Sequence, residues 1–246
     1  NAEQHQAAEF DLPSTSASWY KHPVKTAQHL LATLAAVIVC LLPLTAQAET
    51  IKETRAKAEQ GDAKAQFSLG CSYANGEGVE KDGTEAAKWL RKSAEQGLAE
   101  AQYNLGACYA DGLGVDKNLQ ESFKWIRKAA EHGHAIAQFN VGRCLYSGEG
   151  VERNLVEAVA WIRMAAELGH TSAQNNLGSF YHEGEGVVKN ELLAYRWFLL
   201  ASAGGSDAAK GNIPILEAKL TAEQRAEGQR LATEWQAAFE KRQLGK

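Results

Sequence analysis

Four tryptophans, Trp89, Trp125, Trp161 and Trp197, stand 36 residues apart. The glycines keep the same step: Gly61, Gly97, Gly133, Gly169 and Gly205 form one ladder, and three further ladders begin at Gly70, Gly76 and Gly78. Together these positions hold seventeen of the 22 glycines. Such a period predicts a stack of like units, because a unit too small to bury its own core buries it against its neighbours. Four full units run over 61–96, 97–132, 133–168 and 169–204 with no insertion.

Each unit reads as helix, loop, helix. In the second, Ala101, Leu105, Cys108 and Tyr109 recur at helical spacing and give one apolar face. Gly112-Leu113-Gly114-Val115 then breaks the helix, and the valine at 79, 115, 151 and 187 is expected to plug the core below the loop. Asp82, Asn118, Asn154 and Asn190 are placed to cap the second helix. Glu85, Glu121 and Glu157, three residues later, complete a capping-box pattern; Leu193 breaks it in the fourth unit. Gly70, Gly106, Gly142 and Gly178 fall in mid-helix, at a cost of about 1 kcal/mol each against alanine. Close approach of the partner helix is the expected reason. The tryptophans read as core between units.

The string AQYNLGACYADGLGVDKNLQESFKWIRKAAEHG, residues 101–133, resembles a Sel1-like repeat, a relative of the tetratricopeptide repeat. The matching features are Leu-Gly, the following Tyr, the G-x-G-V loop and the Trp…Ala-Ala…Gly helix, and they extend from 61 to about 214. One departure is Leu145, in the slot of Tyr73, Tyr109 and Tyr181, with Tyr146 beside it. The resemblance implies an all-α fold, a right-handed α-α superhelix (solenoid) of 36-residue helix-loop-helix repeats with capping helices. It also implies a scaffold or adaptor that binds proteins or peptides in a concave groove lined by the first helices. Some cysteine-rich relatives staple each unit with a disulfide and are linked to penicillin binding. Here Cys71, Cys108 and Cys144 form no within-unit pair, and typical helix spacing of about 8–10 Å exceeds disulfide reach. Free, mostly buried thiols are expected.

The ends read differently from the repeats. Residues 1–23 resemble neither signal nor domain. Over 24–48, Lys25 precedes the uncharged run Leu30–Leu44, and Ala46-Gln47-Ala48 follows, the pattern of a secretory signal peptide. The run is short for a bilayer span, which takes about 20 residues; an uncleaved anchor is the alternative. This predicts a periplasmic or secreted bacterial protein with no stable membrane span after cleavage. Residues 49–60 read as an N-terminal cap. Residues 205–246 read as a partial fifth repeat, stopped by Pro214, and a capping helix over about 222–241 that carries Leu231, Trp235 and Phe239.

Chemistry is sparse. A net charge of -4 gives no basic field for nucleic acid. Ser18-x-x-Lys21 is the one match to a penicillin-recognising motif, and it lies ahead of the signal. The G-x-G loops lack a Walker lysine. His132, His134, His170 and His182 read as surface histidines rather than zinc ligands. No cofactor, metal or catalytic residue is expected. The expected partner-binding face pairs Phe67, Tyr103 and Phe139 with an amide ladder, Asn104, Asn140 and Asn176, and with Arg143. An amide both donates and accepts, so a ladder suits an extended peptide backbone; Arg143 suits a carboxylate. The alternatives are a carbohydrate or peptidoglycan-binding module, which needs Tyr103 and Phe139 exposed, and a β-lactam or cell-wall amide hydrolase.

Overall fold

The computed structural model describes residues 51–245. The signal-peptide reading of 24–48 lies outside that range. Eleven α-helices occupy it, with no strand among the described residues. They are α1 (Ile51–Glu59), α2 (Ala63–Asn75), α3 (Gly83–Glu95), α4 (Ala99–Asp111), α5 (Leu119–Glu131) and α6 (Ala135–Ser147), then α7 (Leu155–Glu167), α8 (Thr171–Glu183), α9 (Glu191–Ala203), α10 (Asp207–Glu217) and α11 (Ala222–Leu244). Among the described residues no helix is long and apolar enough to cross a membrane. The fold is an all-α solenoid of helix-loop-helix repeats, in which consecutive helices pack on one another.

Contacts gather into two bodies. Among the described residues one comprises 51–138 with 149–152, the other 139–148 with 153–245. In the first, Trp125 packs with Leu90, Ala94, Leu105 and Cys108, so the tryptophan bridges one repeat and the one before it. Gly106 sits where a Cβ would lie 2.6 Å from Ile126 Cγ1 and 3.1 Å from the Ser122 carbonyl oxygen. The second body repeats this at Gly142 against Ile162 and Gly178 against Phe198. The mid-helix glycines thus let each hairpin close. The second loop glycine has a different task. Gly114 has φ +68°, and any side chain there would overlap the backbone of Gly83 at the start of α3. The loop of one repeat therefore docks on the second helix of the preceding one. Val115 and Val187 are half-buried and pack on the core, as expected of plugs.

The second helices start where the caps predict. Asp82, Asn118, Asn154 and Asn190 each accept a backbone N–H from the first turn. The capping-box expectation for the glutamates is corrected. Glu85 accepts from Lys88 Nζ (2.7 Å) and Trp89 Nε1 (3.1 Å), Glu121 from Lys124 Nζ, and Glu157 from Trp161 Nε1 (3.3 Å). A lysine or indole one turn on competes for the same carboxylate. The reciprocal box forms at Thr221 and Gln224, at the start of α11.

The thiol expectation is also corrected in part. Cys108 is a buried thiol, pushed up to about 12 by burial. Cys71 does not stand as a free thiol.

Helix α11 does more than end the stack. Ala232 and Trp235 enter the core of the second body, with Trp197, Leu200 and Ala166. Trp235 Nε1 donates to Glu167 Oε2 (2.6 Å), and the Phe239 ring covers Gly169. Leu231, expected in this contact, is half-buried; Gly228 lets the helix approach Tyr195.

Candidate functional site

The first helices are anchored at their N-terminal ends, and that sets their inward-facing residues; α4 alone among those of the four repeats starts, at Leu98, without a side-chain cap. At the N-terminus a side chain caps the helix: Asp62 in α2, His134 in α6, His170 in α8 and Ser206 in α10. A glutamine one turn on then ties it to the previous helix. Gln66, Gln102, Gln138 and Gln174 each donate Nε2 to the carbonyl eight residues earlier, on Ala58, Ala94, Ala130 and Ala166. This glutamine ladder keeps the same 36-residue step as the glycines, so the sequence signal was present.

The histidines are structural here. His134 and His170 are half-buried, and their Nδ1 atoms accept from the backbone N–H of Ala137 and Ala173 at 3.2 Å. Each ring also stacks on an aromatic of the preceding first helix: Tyr103 on His134 (centroids 5.1 Å apart) and Phe139 on His170 (4.6 Å). Burial lowers the His134 pKa, against an opposing pull from Glu100. The surface assignment of these two rings is thereby corrected: the aromatic in the next slot screens them from solvent. Among the described residues no cluster of three or more His, Cys, Asp or Glu could hold a metal ion.

Of the expected binding residues, Phe67, Tyr103 and Asn104 lie in the first body. Phe67 is half-buried against the Leu90–Trp125 cluster. Tyr103 and Asn104 are 5% and 6% exposed, and Asn104 Nδ2 lies 3.8 Å from Cys71 Sγ. Phe139, Asn140, Arg143 and Asn176 lie in the second body. The Arg143 guanidinium sits 5.7 Å from the Phe139 ring centroid, and its Nη1 donates to Asn140 Oδ1 at 3.5 Å. Phe139 is 6% exposed. Tyr103 and Phe139 therefore offer no open ring face, and the condition for sugar stacking is not met.

The fourth repeat departs from its neighbours. Asn175 takes the aromatic slot and is fully buried, with neither amide atom hydrogen-bonded. Asn176 Oδ1 is likewise unpaired. The amide ladder has one more rung than the sequence reading counted. Asn212, 36 residues after Asn176, is buried with Nδ2 unpaired, and it follows Gly211, where an added Cβ would meet open space.

The Sel1 repeat family matches residues 63–98, 99–134, 135–170 and 171–206. A Sel1 repeat protein from Oxalobacter formigenes is 34% identical with a TM-score of 0.64, over 75% of this chain and 80% of that one. A protective antigen present in uropathogenic Escherichia coli strains, displaying an SLR fold, is 35% identical with a TM-score of 0.69. That match covers 90% of this chain, which spans half the length of the antigen. A search among curated proteins finds no match. The caps, the loop glycines and the Trp-bridged hairpins are thus those of a known repeat, and the chain belongs to the Sel1 repeat family.

Proposed function

We propose that this protein is an exported, non-catalytic scaffold that binds a protein or peptide along the first-helix face of its repeats. Proteins built of Sel1 repeats are in general protein-interaction scaffolds. The observation that carries the specific reading is the half-buried Arg143 beside Asn140, which holds the same slot of successive first helices as Asn104 and Asn176. A peptide main chain presents donor and acceptor alternately, as an amide ladder does. Arg143, already beside Asn140, supplies the charge for a carboxylate.

Phe67, Tyr103 and Phe139 shape this face without offering exposed platforms, so the amides and Arg143 carry the recognition. Affinity capture from periplasmic extract, with the wild-type protein and an Asn176→Ala variant side by side, tests the reading. A specific partner retained by the wild type and lost by the variant supports it. Equal retention by both counts against it.

A further inference from the structure

A second departure from the 36-residue pattern lies beneath α11. In the first repeats the ladder glutamine is covered by a later side chain. Gln96 Nε2 donates to Gln66 Oε1 at 2.7 Å, and His132 Nδ1 lies 3.0 Å from Gln102 Oε1. The same slot holds Leu168 and then Gly204. The slot held by Ala63, Ala99 and Ala135 is Thr171 in the fourth repeat. These two changes touch: a Cβ on Gly204 would lie 2.6 Å from Thr171 Oγ1. Gln174 keeps its bond to the Ala166 carbonyl through Nε2 (3.3 Å), and the covering side chain is missing from beside its Oε1.

The vacated space is a half-open cavity of about 180 Å³, bordered by Gln174, Thr171, Gly204, Leu200, Trp235 and Phe239 among others. Its roof is rigid. Trp235 and Phe239 stack with centroids 4.9 Å apart and 9° between planes, and the Trp235–Glu167 bond pins the pair. A cavity of about 150 Å³ is enough for one benzene ring. The lining is mixed: Leu200, Ala203, Trp235 and Phe239 are apolar, while Thr171, Gln174 and Gln236 are polar, and Gln174 brings an amide acceptor to it.

We propose that this cavity binds one phenol ring, as on a tyrosine side chain, with its hydroxyl donating to Gln174 Oε1. The ring replaces the covering side chain that Gly204 lacks, and the hydroxyl replaces the donor that Gln96 supplies in the first repeat. A ring without a donor fills the same volume and leaves the acceptor buried and unmet, which is the basis of discrimination.

The test is a titration of the full chain with p-cresol and, separately, toluene, followed through the Trp235 indole N–H resonance. The expected result is a saturable shift with p-cresol and at least fivefold weaker binding of toluene. The Thr171→Ala, Gly204→Gln double variant rebuilds the first-repeat pair and should abolish p-cresol binding with melting unchanged or raised. No saturable shift in the wild type, or equal affinity for the two rings, overturns the proposal. So does undiminished p-cresol binding in a folded double variant. Should that variant not fold, the wild-type comparison decides alone.

Discussion

The Tyr103 ring lies nearly parallel to the His134 imidazole, 19° between planes, while His134 Nδ1 accepts the backbone N–H of Ala137. One ring thus caps α6 and supports an aromatic of α4. The cap requires an imidazole neutral at Nδ1, and a helix N-terminus disfavours positive charge.

Stability should therefore fall in mild acid. Burial lowers the folded pKa of His134 below its ordinary 6.5, so its contribution is fully present above 6.5. It is lost as pH falls through the lowered folded value. Loss of a cap costs about 1 kcal/mol. Thermal melts of the wild type and His134→Asn between pH 4.5 and 7.5 check this. Asparagine keeps a capping oxygen and does not titrate, so the variant should show a flatter acid limb. Parallel curves would show that His134 protonation is not coupled to folding.

Hairpin closure depends on the mid-helix glycines. Gly106→Val should destabilise by a few kcal/mol, since its side chain overlaps Ile126 and the Ser122 carbonyl. Trp125→Ala should cost about 3–5 kcal/mol through the cavity it leaves between repeats. Urea denaturation followed by circular dichroism measures both. An unchanged midpoint for either would contradict the packing described.

Cys108 should resist alkylation in the folded protein. Its thiol is buried and pushed up to about 12, so little thiolate exists at pH 8. Iodoacetamide labelling read by peptide mass spectrometry should mark Cys108 only after urea unfolding. Rapid labelling without urea would contradict its burial.

Processing at Ala48 should leave Glu49 as the N-terminus of protein recovered from the periplasm. Intact mass decides it: a species retaining Leu30–Leu44 would favour an anchored form.

Much of the fold was legible in the sequence because its determinants are local and repeated. Asp82 and Asn118 cap the helices their positions predict, and Gly106 and Gly142 lie where the partner helix comes closest. What escaped depends on tertiary neighbours. Glu85 fits a capping box until Lys88 and Trp89 compete for its carboxylate. His134 reads as a surface residue until Tyr103 covers it. The burial of Tyr103 and Phe139 has the same origin: the slot pattern placed them on the first helix, but only the stacked histidine of the next repeat closes the ring face. Gln66, Gln102, Gln138 and Gln174 and the extra rung at Asn212 were visible as period-36 positions, and their role needed the contacts.

The affinity of a captured partner for the Asn140→Ala, Arg143→Ala variant tests the binding account most directly. Measured by calorimetry beside the wild type and a second-helix control, Val156→Glu on exposed α7 surface, it should fall about tenfold, or about 1.4 kcal/mol. Helicity and melting should be preserved in both variants. Undiminished affinity in the double variant, with binding abolished by Val156→Glu instead, would place the partner on the second-helix face and contradict the account.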